Sequence, residues 1–201
     1  MRNLFLTAAL TIALGSTALL TGCATYVPPE NAKHADIRAE AESITRELNC
    51  KWRQMPDPSY PAKGKDFACV ADTFASVILF VEPSNTMVDG VPQVEKIKLV
   101  WKEWNESVKL SDSKRDASRF IAYVAQRFFP AEDAPRLVDM FFGDSDSYME
   151  SGKLDVKYMY RKQPALNLHR MEITNQDPER KLYTFDAPHQ VPSADGELSS
   201  Q

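Results

Sequence analysis

The chain carries three histidines, and one of them, His169, stands where an imidazole could meet a second functional group. It lies in Asn167-Leu-His-Arg-Met-Glu172, a stretch that reads as a strand, where it could act as a general base with Glu172 close in sequence. Side chains three residues apart on a strand point to opposite faces, so this pair does not converge. The better reading is a strand histidine hydrogen-bonded to a cross-strand partner, because a catalytic centre needs several convergent groups. His34 falls near a helix start and His189 in a terminal segment with almost nothing to bury. No catalytic residue is assigned.

The acidic stretch Asp144-Ser-Asp-Ser-Tyr-Met-Glu150 clusters carboxylates, as hard cations such as calcium require. Met149 stands where an EF-hand loop has its turn glycine, and the glutamate is misplaced. The segment therefore reads as a solvated helix-to-strand loop, and no metal or cofactor is expected. The seven glycines are scattered and form no phosphate-binding loop, and no Gly-x-Ser-x-Gly elbow is present. What remains is a basic and aromatic set: Trp104 with Lys98 and Lys102 on one strand, and Tyr158, Tyr160 and Arg161 on another. Cations beside aromatic rings can grip an anionic polymer, a lipid headgroup or a protein partner. The competing reading puts the rings in the core and leaves the lysines to solvate the outside.

These residues need elements to place them. A first helix, capped by Asn31, carries Ile37, Ala41, Ile44 and Leu48 along one stripe, with Arg38, Glu40, Glu42, Arg46 and Glu47 on the charged face. Residues 50–55 and 67–70 read as short strands, and residues 74–81 as a buried strand stopped by Pro83. Residues 84–93 form a loop or long hairpin connection. Residues 94–104 alternate, with Ile97, Leu99 and Trp101 on one face and Lys96, Lys98 and Lys102 on the other. Val100 and Trp104 fall on the lysine side, which signals a bulge or a second covered face. A helix capped by Ser113 follows, with Ala117, Phe120, Ile121, Val124 and Phe128 inward and Pro130 at its end. The next helix has Asp133 as cap, Pro135 in its first turn and Gly143 as its stop. Val156, Tyr158 and Tyr160 alternate on a strand that turns at Gln163-Pro164 into a return strand over residues 166–174. Helices and strands are segregated, which predicts an α+β fold: an antiparallel sheet carrying an N-terminal helix and a central helix pair, closed by a β-hairpin.

The N-terminus supplies the address. One basic residue, Arg2, precedes an uncharged apolar run that ends in Leu20-Thr21-Gly22-Cys23. This end resembles a bacterial lipobox: an aliphatic residue, two small residues, then cysteine. The resemblance covers the first 24 residues and implies that Cys23 receives a diacylglycerol, that residues 1–22 are removed, and that the new amino group is acylated, for example with palmitate. Two or more acyl chains anchor a protein stably, at about 0.8 kcal/mol per buried methylene. Ala24 follows the cysteine, where an Asp would resemble an inner-membrane retention signal, so the resemblance implies an outer-membrane anchor facing the periplasm. Residues 23–30 then form a lipidated tether with a double proline, residues 31–185 one α+β domain, and residues 186–201 a disordered tail. Loss of the signal takes Arg2 and no acidic residue, which moves the formal net charge from −4 to −5 and argues against a nucleic-acid partner. In an oxidising compartment the two other cysteines, Cys50 and Cys69, read as a disulfide.

The sequence thus points to a lipid-anchored periplasmic envelope protein, a non-catalytic binding or assembly module that partners the membrane through its lipid and an envelope protein or anionic polymer through its surface. The alternatives are a small-ligand carrier and an envelope-acting hydrolase with a carboxylate site. Replacing Cys23 by Ser is expected to abolish acylation, read by mass spectrometry of the N-terminal peptide. An unacylated Cys23 in the wild-type protein would contradict the anchor.

Overall fold

A computed structural model describes residues 32–54, 66–105, 107–176 and 182–185. The signal segment, Cys23, the tether, Asn31 and the tail from residue 186 lie outside the described residues. The elements are β1 (Ala32–His34), α1 (Ile37–Leu48), β2 (Trp52–Gln54), β3 (Phe67–Val70), β4 (Val77–Val88), β5 (Val91–Trp104), α2 (Ser107–Phe128), α3 (Ala134–Phe141), β6 (Ser147–Ser151), β7 (Leu154–Lys162), β8 (Leu166–Asn175) and β9 (Tyr183–Phe185). Seven strands form one sheet in the order β2-β3-β4-β5-β8-β7-β6, and β1 pairs with β9 in a small second sheet. Every pairing is antiparallel, so the chain is α+β as the segregation of its elements requires.

The alternation of β5 organises the sheet. Ile97, Leu99 and Trp101 are buried, and they join Leu79 and Val81 of β4, Met171 and Ile173 of β8, and Val156 and Tyr158 of β7 in one core. The apolar stripes of the helices complete it: Ile37, Ala41, Ile44 and Leu48 from α1, Phe120, Ile121, Val124 and Phe128 from α2, and Leu137 and Phe141 from α3. Lys96, Lys98, Val100, Lys102 and Trp104 fall on the opposite face and are only partly buried. The pairing of β5 with β8 runs without a slip from Lys96 to Trp104, so Val100 and Trp104 mark a partly covered second face and not a bulge.

Several boundaries differ from the sequence reading, each for a local reason. Residues 32–34 pair as a strand, and α1 starts later, at an Asp36 cap whose carboxylate accepts from the Arg38 and Ala39 amides. Glu40, expected on the charged face, is 1% exposed, because Arg127 of α2 donates to both its oxygens at 2.8 and 3.0 Å. Phe74 belongs to a turn and is exposed: Asp72 accepts from the Phe74 and Ser76 amides and delays β4 until Val77. Pro83 does not stop β4. The register with β5 shifts on either side of it, and beyond the shift the hairpin continues to the turn at Asp89-Gly90, where both residues have positive φ. Ser113 lies well inside α2, buried, with its hydroxyl accepting from the Trp101 indole at 3.3 Å, so it caps nothing. Asp133 does stand at the α3 N-cap but makes no side-chain cap bond; its carboxylate accepts from the Ser151 hydroxyl at 2.6 Å. Part of the expected acidic loop is strand: Ser147–Ser151 pairs with β7.

Cys50 and Cys69 are joined, their Cα atoms 5.3 Å apart, which ties the segment after α1 to β3. The bridge spans a sequence separation of 19, for which the chain-entropy model gives about 3 kcal/mol. The double variant Cys50→Ala/Cys69→Ala is therefore expected to lose about 3 kcal/mol in denaturant unfolding. A midpoint equal to that of the oxidised wild type would show that the bridge does not stabilise the fold.

Candidate functional site

The C-terminal end of β5 breaks its own pattern. The inward positions Ile97, Leu99 and Trp101 are buried and apolar, but the next one is Glu103. Around it opens a cleft of about 440 Å³, lined by Trp101 and Glu103 of β5, Lys114 of α2, Phe142, Gly143 and Asp144 after α3, Tyr160 of β7 and His169 of β8. Two strand registers bring the sheet residues together, since His169 stands opposite Trp101 on one side and Tyr160 on the other. The floor is aromatic. Trp101 stacks on His169 with centroids 4.2 Å apart, and Phe142 meets Trp101 edge-on at 5.4 Å. Tyr160 meets the imidazole edge-on at 5.1 Å.

A polar relay crosses this floor. The Tyr158 hydroxyl lies 2.5 Å from the Gly143 carbonyl oxygen and 2.7 Å from His169 Nδ1, while His169 Nε2 lies 3.3 Å from Glu103 Oε2. The Asn167 amide donates to that same Glu103 oxygen at 2.7 Å. Filling the three contacts of the Tyr158–His169–Glu103 chain takes three protons. A neutral imidazole, a tyrosine and a carboxylate bring two. One of the three contacts therefore carries no proton while the imidazole is neutral. Burial holds the imidazole below its ordinary value of 6.5, against the opposing pull of Glu103 and of the Phe141 backbone. Burial also raises the Tyr158 hydroxyl well above its usual range, helped by Tyr160 and the carboxylate of Glu103, so the phenol keeps its proton.

The expected aromatic and basic patch is not one surface. Tyr158 is 1% exposed and belongs to the core, and Tyr160 shares its face and lines the cleft. Lys98, Lys102, Trp104 and Arg161 lie on the other face of the sheet, because side chains alternate and these residues have the opposite parity. Their charges and polar atoms are partly engaged there. Lys98 pairs with Glu82, Arg161 donates to Asp146 at 2.6 Å, and the Trp104 indole donates to Ser76 at 3.2 Å. His169 is hydrogen-bonded across strands, and its cross-strand carboxylate is Glu103, while Glu172 bonds Arg170 on the opposite face. Glu103, Lys114 and Phe142 carried no motif, and Asp144 was read only as part of a solvated acidic loop. The available signal was Glu103 itself, a carboxylate at an inward position of an alternating strand.

The pH dependence follows from the lowered His169 value. The folded state binds fewer protons here than the unfolded chain, so the imidazole contributes stability above about pH 6.5 that is lost as pH falls towards the lower folded value. The melting temperature of the wild type should fall more steeply between pH 7.5 and 5 than that of His169→Asn. Parallel slopes would contradict a buried, neutral imidazole. The chain matches no protein-family model, no curated protein and no solved structure.

Proposed function

We propose that this protein is a lipid-anchored module of the periplasmic face of the outer membrane that binds a small ligand in the cleft beneath Tyr160. The observation that carries the reading is the cleft: about 440 Å³ bounded by four aromatic or imidazole rings, with two carboxylates and one lysine among its lining residues. Binding sites for small molecules have this composition, apolar and aromatic walls with a few placed polar groups. The lipobox resemblance of Leu20-Thr21-Gly22-Cys23 supports the anchor, and the disulfide suits an oxidising compartment. Among the described residues no helix is long and apolar enough to cross a membrane.

The position of the cleft in the sheet is consistent with this reading. Ala35, just after β1, is hydrogen-bonded to Val94 near the start of β5. The cleft lies at the other end of that strand, at Trp101 and Glu103. Nine residues at about 3.3 Å each separate the two ends by roughly 30 Å. The cleft thus lies at the end of the sheet remote from β1, the element into which the sequence leads from Cys23.

The test uses the full lipidated chain in detergent, incubated with a low-mass envelope extract and read by native mass spectrometry. A retained species of a few hundred daltons is expected for the wild type and for Trp104→Ala, which alters the opposite face. Tyr160→Ala, which removes a cleft wall, should weaken retention; truncating such an aromatic anchor costs about 2 kcal/mol, roughly thirtyfold in affinity. Retention abolished by Trp104→Ala and untouched by Tyr160→Ala would place the binding surface on the other side of the sheet.

A further inference from the structure

The cleft also carries a chemical preference. Glu103 is fixed through one oxygen: Oε2 receives the Asn167 amide at 2.7 Å and faces His169 Nε2 at 3.3 Å. Its other oxygen, Oε1, has no hydrogen-bond or ion-pair partner among the described residues, in a side chain that lines the cleft and is 26% exposed. A carboxylate held only to seal the end of a strand would need neither that free oxygen nor the space in front of it. Asp144, exposed in the same lining, adds a second negative charge, while Asp146 nearby is already paired with Arg161. Among the described residues Lys114 is the only cation of the lining, on the exposed side of α2. The walls are the rings of Trp101, Phe142, Tyr160 and His169, which attract positive charge through their π faces and accept apolar surface at the same time.

Resting on the reading of this cleft as a ligand site, we infer that its ligand is a small organic cation, an ammonium or guanidinium group carried on an apolar body, with the charge seated on Glu103 Oε1. An anionic ligand would meet two carboxylates, and a neutral apolar one would cover Oε1 without giving it a partner, which is costly for a charged acceptor. An organic cation satisfies both the charge and the rings. The neutral state that burial imposes on His169 fits this assignment, since it leaves the charge of Glu103 uncancelled from behind. Arg127 and Arg170 sit elsewhere, in salt bridges with Glu40 and Glu172, and are not among the described lining residues.

Three probes of one shape test the inference on the full lipidated chain in detergent: benzylammonium, benzyl alcohol and benzoate, titrated calorimetrically at pH 7.5. Benzylammonium should bind at least tenfold more tightly than benzoate, a comparison within the wild type that no folding defect can disturb. Glu103→Gln keeps the shape of the side chain, and should lower the affinity for benzylammonium about tenfold while leaving that for benzyl alcohol unchanged. Equal binding of all three probes, or an unchanged benzylammonium affinity in Glu103→Gln, would overturn the cationic assignment and leave the cleft as an aromatic ligand site. Absence of binding by any of the three at millimolar concentration would overturn both the assignment and the ligand-site reading.

Discussion

Burial of Trp101 is the constraint on which the sheet, the helices and the cleft all depend. Its ring is 2% exposed, its indole N–H donates to Ser113 of α2, and its face stacks on His169 of β8. Phe141 and Phe142, at the end of α3, close on it from a third direction. One side chain thus joins β5, β8, α2 and α3 at the place where the cleft begins. An indole buried with an unpaired N–H would cost more than a hydrogen bond contributes on balance, so Ser113 sets how α2 lies on the sheet as well as satisfying the donor. Beyond Trp101 the strand has no further apolar residue to place inward. Glu103 takes that position, and the core gives way to a cleft.

The same alternation explains what could be read from the sequence and what could not. The inward set Ile97, Leu99 and Trp101, the α1 stripe from Ile37 to Leu48 and the final hairpin were legible because burial imposes a period of two on strands and about 3.6 on helices. The Cys50–Cys69 bridge was legible because only two cysteines follow the lipobox. Boundaries set by single side-chain bonds were not. Asp72 folds back on the amides of Phe74 and Ser76, and Ser113 exchanges the role of a cap for that of a partner to Trp101; both read equally well in other ways from composition. Glu40 was assigned to solvent because its partner Arg127 lies far along the chain. The site was missed for the same reason. Its residues come from β5, α2, the turn after α3, β7 and β8, and only the sheet register assembles them.

The two faces of the sheet therefore have different meanings. On one, the helices leave a recess at the end of β5 where aromatic rings, an oriented carboxylate and a hydrogen-bonded relay meet. On the other, Lys96 and Lys98 pair with Glu82, Arg170 with Glu172 and Arg161 with Asp146, and the described rings include single residues such as Trp52, 55% exposed at the sheet edge. Exposed aromatics scattered in this way are ordinary surface, whereas a concave site with converging polar groups is not.

The chain has three tryptophans, one in the floor of the cleft and two on the opposite face, so their indole N–H resonances report directly where a ligand sits. The decisive measurement is a 15N–1H correlation spectrum of the wild-type protein recorded with and without the low-mass envelope extract. A ligand seated in the cleft shifts the Trp101 resonance and leaves those of Trp52 and Trp104 in place. A spectrum in which Trp52 or Trp104 moves and Trp101 does not would contradict a ligand site in the cleft.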